Sequence, residues 1–175
     1  MSYKTIISAE NLIESLPDEN TLVFDCRCDI KDTTYGIQAY TEGHIPGSIY
    51  VNVDTDLASE KTPSSGRHPL PDADALSEKL SQWGLSSEKQ AVIYDDASGA
   101  FAGRMWWILK WLGHKKVAVL DGGLGSYMSI GGKLTTDETI FEKNIFTPNI
   151  QSEMVVEITD VEEAPVSYTH LTLPT

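Results

Sequence analysis

With 175 residues, 41% hydrophobic and 22% charged, the chain has the length of one ordinary domain and enough apolar residues to bury a core. Its 13 basic residues stand against 26 acidic ones, a net charge of −13 with no basic stripe, which argues against nucleic acid or an anionic membrane as partner. No apolar run is long enough to span a bilayer, and the opening MSYKTIISAENLIESL lacks the long apolar stretch of a secretory signal, so the expected location is cytoplasmic.

Short apolar runs alternate with helical patterns along the chain. TIIS (5–8) suits a first strand. SAENLIESLP follows as a helix with Ser8 as N-cap and Leu12, Ile13 and Leu16 on one face. TLVFDCR (21–27) is a β-rich run ending in charge. YGIQAYTEG (35–43) suits a short helix closed by Gly43, and HIPGSIYVNVD (44–54) a turn and then a strand. LASEKTPSSGRHPLP (57–71) is a loop rich in Ser, Pro and Gly, which leaves His68 on a flexible segment. PDADALSEKLSQWG (71–84) is a helix, with Pro71 and Asp72 at its first turn and Gly84 at its end.

AVIYD is the next strand, AFAGRMWWILKWLG a helix ended by Gly113, and KVAVLDGG a further strand and turn. Continuous apolar runs such as AVIY and VAVL fit a mostly parallel sheet covered by helices on both faces. The fold class is therefore α/β, with about five strands and with ligands expected beyond their carboxyl ends. No internal repeat is evident.

The character changes after Gly132. Residues 133–163 hold eight acids and two lysines and read as an extended, exposed arm. The last eleven residues, PVSYTHLTLPT, carry no acid and are read as non-native, so His170 stays out of the fold argument. The expected division is a domain over 1–135, an acidic linker over 136–164 and a tail over 165–175.

The loop opening with Asp95 and Asp96 has the strand–loop–helix layout of an anion or nucleophile site, yet holds no Cys, Ser or Lys. An Asp there caps the helix, accepting backbone N–H bonds and favouring the helix dipole. A Mg²⁺-dependent phosphotransferase using Asp95 is a weaker option, since Ala97 stands where such enzymes carry a second acid. His44 is expected to hold the Pro46–Gly47 turn rather than act as a base. His114, at a helix end, sits where a cation is favoured. The histidines lack metal-ligand spacing, so no metal or other cofactor is expected. Trp106, Trp107 and Trp111 form an aromatic helix face for packing. Cys26 reads as a small buried hydrophobe and Cys28 as more exposed, with no disulfide between them.

Taken together, these segments resemble the rhodanese family. YTEGHIPGSIYV (40–51) is similar to its first signature, an aromatic residue, three more, then His-Ile-Pro-Gly, with Ser48 where alanine is usual. FDCR resembles the family's strand ending Asp-x-Arg, matched by Asp25 and Arg27. VAVLDGGLGSY (117–127) resembles the second signature at Asp121, Gly122 and Gly123, with Leu120 and Leu124 replacing aromatics and Ser126 an acid. The insert ending GRHPLP and the stretch YDDASGAFAGRMWWILKWLGH look like the N-terminal half of tandem-domain sulfurtransferases.

The resemblance implies a sulfur donor, thiosulfate or 3-mercaptopyruvate, and a second rhodanese domain in cis. It places Asp95 at the position of the family's persulfide cysteine. The chain is then expected to be the catalytically silent half, inactive alone, with VVEITDVEE (155–163) resembling the opening of the other half. Arg104 is the loop's one cation, expected to pair with Asp95 or Asp96, or else to face a substrate in a partner domain's site. A non-enzymatic binding or scaffolding module is the rival reading.

Overall fold

The computed structural model describes residues 2–16 and 18–163. The tail over 165–175, with His170, lies outside the described residues. Five strands form one parallel sheet in the order β1-β5-β4-β2-β3: β1 Ile6–Ile7, β2 Thr21–Asp25, β3 Ser48–Tyr50, β4 Gln90–Tyr94 and β5 Val117–Leu120. The helices are α1 Ala9–Ser15, α2 Tyr35–Glu42, α3 Ala73–Gln82, α4 Ala102–Trp111, α5 Gly123–Ser129 and α6 Ile158–Glu163. The sheet is wholly parallel. No helix among the described residues is long and apolar enough to cross a membrane.

Strand β4 is buried at every position, and its side chains divide between two cores. Ala91 and Ile93 join Leu22, Phe24, Leu80, Met105 and Leu109 on the α3/α4 face. Val92 and Tyr94 join Ile7, Leu12, Leu120 and Tyr127 on the α1/α5 face. This period-two division explains the unbroken apolar runs: both faces of the strand are covered, so no position is left for solvent.

The caps follow the side-chain chemistry. Ser8 accepts the Asn11 N–H and Asp72 accepts the Ala75 N–H, each satisfying an otherwise unpaired amide of the first turn. Ile13 departs from the expected face of α1. It is exposed while Leu12 is buried, because the short α1 turns only a narrow stripe toward α5.

The acidic segment after Gly132 is not a free arm. Residues 141–151 run as a strap over the ends of α3 and α4. The Asn144 N–H donates to the Ser81 carbonyl, Asn149 N–H to Leu112 and Gln151 N–H to Trp111. Phe146 inserts into the α3/α4 core and its N–H donates to Ser81 Oγ. One buried aromatic and a ladder of backbone bonds hold the strap, while its charged pair, Glu142 and Lys143, faces water. At Gly113 the strap comes so close that a side-chain carbon would overlap the Asn149 carbonyl oxygen. Residues 158–163, expected to be extended, are the helix α6.

Candidate functional site

The carboxyl ends of β2 and β4 lie side by side, with Asp25 paired to Tyr94 in register. Asp95 follows directly and is 1% exposed. Its Oδ1 accepts the N–H groups of Ala97 (3.0 Å) and Gly99 (2.8 Å), and its Oδ2 those of Phe101 and Ala102 (both 2.9 Å). The loop thus curls its amides around one carboxylate at the start of α4, as amides converge on an anion at a helix N-terminus. Ser98 holds φ +57, which turns the loop through the bend that this convergence needs. A carboxylate whose two oxygens already face four N–H dipoles presents its positive surroundings, not its lone pairs, to a cation, which disfavours the Mg²⁺ reading.

Asp96 points the other way. It is exposed, and the Tyr35 hydroxyl donates to its carboxylate. That bond and the negative charge push the Tyr35 pKa up to about 12.

Beneath the loop lies a buried network. Arg27 grips Asp25 through Nε (3.0 Å) and Nη2 (2.6 Å) to Oδ2, and Nη2 also donates to the Gly43 carbonyl at 2.8 Å. Tyr94 Oη donates to the same Asp25 oxygen at 2.6 Å and lies 3.3 Å from Ser48 Oγ. Burial beside Asp25 drives the Tyr94 pKa well above its ordinary value, so the phenol stays a donor. Neighbouring signature residues are thereby tied to one another: β2 through Asp25 and Arg27, and the His44–Ser48 turn through Tyr94.

His44 is buried, with Nδ1 2.8 Å from the Tyr40 carbonyl oxygen and Nε2 3.2 Å from that of Asp137. Its ring stacks on Tyr40 at 3.8 Å between centroids. Backbone bonds in both directions join it to Thr135. Its ring nitrogens thus reach the end of α2 and the 135–137 backbone, not the backbone of the Pro46–Gly47 turn. The turn through Pro46 and Gly47 closes with the Ser48 N–H on the Ile45 carbonyl.

The second signature reaches the same loop from the other side. The Leu124 N–H donates to the Asp95 carbonyl, and Gly123 passes against that carbonyl. Asp121 is exposed, and its N–H bonds the Ile7 carbonyl. The glycines, expected as a simple turn, start helix α5.

Arg104 corrects its expectation. Its guanidinium does not go to Asp95 or Asp96. It donates to three backbone carbonyls of the 57–71 insert: Leu57 at 2.7 Å, His68 at 3.0 Å and Pro69 at 3.2 Å. The loop's own amides already satisfy Asp95, while the insert's bent backbone turns three carbonyls toward the guanidinium. The insert is held further by the Ser59 hydroxyl on the Leu70 carbonyl and by His68 Nε2, 2.7 Å from Asp54 Oδ1. His68 therefore sits in a partly exposed hydrogen-bonded pair with Asp54 rather than on a loose loop.

His114 is the other correction. It is 3% exposed, and burial lowers its pKa from 6.5 to about 4, so the ring is neutral rather than a helix-end cation. Nε2 lies 3.1 Å from the Lys116 carbonyl oxygen, and Nδ1 has no partner among the described residues. The strap's Phe146 packs on it, 5.8 Å between centroids. Cys26 is fully buried, as expected. Cys28 is only half-buried, and desolvation with Asp54 and Asp29 raises its pKa, so neither thiol is biased toward thiolate.

Sequence reasoning missed the Tyr94, Tyr35–Asp96 and His68–Asp54 contacts. Tyr94 alone carried a signal, as a hydroxyl within an otherwise apolar run.

The rhodanese-like domain model matches residues 8–129. The chain belongs to the rhodanese-like family. This rhodanese-like chain is 38% identical over 159 residues to a probable 3-mercaptopyruvate sulfurtransferase of Pseudomonas aeruginosa, covering 90% of itself and 56% of that protein. It is 27% identical over 163 residues to the 3-mercaptopyruvate sulfurtransferase of Escherichia coli K12, covering 57% of that protein. The crystal structure of SseA from Escherichia coli superposes with a TM-score of 0.80 at 26% identity, over 91% of this chain and 61% of that one. The rhodanese-like chain thus spans a little over half the length of the curated relatives it matches.

Proposed function

We propose that this chain is the non-catalytic rhodanese half of a sulfurtransferase that moves sulfane sulfur from 3-mercaptopyruvate or thiosulfate to a thiophilic acceptor. The observation that carries the reading is the Asp95 carboxylate inside the amide cradle. A rhodanese site needs a thiolate there: its sulfur attacks the outer sulfur of thiosulfate or the thiol sulfur of 3-mercaptopyruvate, a new S–S bond forms, and the S–S or C–S bond that breaks leaves its electron pair with sulfite or with the pyruvate enolate, which takes up a proton. A carboxylate offers no such bond, and its own charge already occupies the anion position.

The sulfurtransferase names of the relatives support the parent activity. Their greater length supports a second domain in cis that brings the thiolate. In this reading Arg104 and the Asp25–Arg27–Tyr94 network hold the loops that face that domain.

The test is cyanide-dependent thiocyanate release with thiosulfate as donor. The chain alone is expected to stay at the blank. Release well above the blank, abolished by Cys28→Ser, would show a catalytic thiol in this chain and overturn the reading.

A further inference from the structure

A cavity flanks the Asp95 loop at the outer edge of the sheet. It measures about 500 Å³, within the roughly 300–1,000 Å³ of ordinary small-molecule sites, and opens where β5 ends, on the opposite flank of β4 from Arg27. Ile6 and Val119 pair in register across β1 and β5, so both side chains turn to the α4 face. Strand β1 is the outermost and holds only two residues, which leaves Ile6 58% exposed at the cavity. Trp106 of α4 forms another wall. Its indole N–H donates to the Lys4 carbonyl at 3.1 Å, which pins the ring against the segment leading into β1.

The polar side of the cavity is small. Ser98 and Gly99 enter from the Asp95 loop, and Asp121 with the two glycines after it from the end of β5. Asp121 is the only charged residue that lines the cavity. It is exposed and forms no ion pair among the described residues, where the acids paired with basic side chains are Asp25, Asp54, Asp56 and Glu88. An indole and a branched aliphatic side chain beside one free carboxylate match an ammonium group carried on an apolar body. The charge meets Asp121, and the body covers Ile6, Val119 and Trp106. The net charge of −13 draws cations toward the chain and repels anions.

We infer that this cavity binds a small organic cation, a primary ammonium on an aryl or alkyl body, with Asp121 as its counter-ion. The site is separate from the Asp95 carboxylate, whose two oxygens are taken by the loop's amides. Gly99 joins the two: it lines the cavity, and its N–H donates to Asp95 at 2.8 Å. An occupant's arrival is therefore registered at the Gly99 amide, without any contact to the carboxylate itself.

Titration of the 175-residue chain with phenethylamine at neutral pH and physiological salt tests the inference, followed by proton–nitrogen correlation spectra. Saturable shifts are expected at the amides of Gly99, Gly122 and Gly123 and at the Trp106 indole N–H. Phenethyl alcohol, of the same size without the charge, is expected to bind at least about threefold more weakly, the scale of one exposed ion pair. Hydrocinnamate, its anionic counterpart, is expected not to saturate. Asp121→Asn keeps the backbone N–H on the Ile7 carbonyl and is expected to remove the preference for the amine. Equal binding of amine and alcohol to the parent chain would overturn the inference, and that comparison decides even where the variant does not fold. Amine shifts scattered over the acidic surface would overturn it too, as would an amine preference that survives Asp121→Asn. So would shifts at Trp106 that follow protein concentration with no amine present, since a second copy of the chain would then fill the cavity.

Discussion

Gly123 lies against the backbone carbonyl of Asp95 so closely that a side-chain carbon on Gly123 would overlap the oxygen. The next residue, Leu124, donates its N–H to that same oxygen at 2.9 Å. The second signature therefore fixes the residue that stands at the centre of the loop. Gly123 also holds φ +58, which L side chains rarely adopt. Gly123→Ala combines a clash with a strained backbone and is expected to cost about 2–4 kcal/mol. Urea unfolding measures it; a loss no larger than that of Gly125→Ala, where a side-chain carbon meets open space, contradicts the argument.

Asp95→Ala strips four N–H groups of their acceptor at once. Hydrogen bonds to a charged group are the stronger kind, and a buried donor left unpaired adds its own penalty. The loss is expected at about 3 kcal/mol, reduced where water enters the loop. Asp95→Cys puts a thiol under the same amides, which favour the thiolate. This variant is expected to take up one sulfur atom from thiosulfate, seen as an added sulfur in its intact mass and removed by cyanide.

Arg104→Met keeps the side chain's apolar stem and removes the donors to Leu57, His68 and Pro69. The expected result is a loosened insert with a largely intact core. Limited proteolysis is predicted to cut within 57–71 faster in the variant, with the first cleavage there and not in the sheet. Unchanged cleavage would show that His68 and Ser59 suffice to hold the insert.

His114 sets a pH dependence of known sign. The unfolded chain takes up a proton near pH 6.5, and the folded one only near pH 4. Stability is therefore full above about pH 6.5, falls as pH drops toward 4, and levels off below, a total of about 3 kcal/mol from this residue. His114→Gln is expected to flatten that part of the stability profile relative to the parent chain, measured by urea midpoints from pH 7 to pH 4.

Phe146→Ala removes the strap's one buried anchor. The cost is expected at about 3 kcal/mol, with hydrogen exchange rising at Asn144, Phe146 and Asn149 before the sheet opens.

Much of the fold was legible because a parallel sheet covered on both faces writes its strands as unbroken apolar runs. AVIY and VAVL need no alternation to be recognised, and Ser8, Asp72, Gly84 and Gly113 mark helix ends by their own chemistry. The capping role of Asp95 was legible for the same local reason. The partners of Arg104 were not, since three carbonyls contributed by a distant irregular loop leave no mark on the sequence. Nor was the strap: a single Phe146 in a stretch with no helical or strand pattern looks exposed until the cleft between α3 and α4 receives it. The neutral state of His114 depends on that same long-range contact, and so escaped a reading based on its helix-end position.

The central claim is that Asp95 occupies the position where sulfur would be carried, so that this half holds none. Intact-mass measurement of the 175-residue chain after incubation with thiosulfate or 3-mercaptopyruvate tests it most directly. The predicted spectrum is that of the untreated protein. A cyanide-labile gain of one sulfur atom on the parent chain would contradict the account.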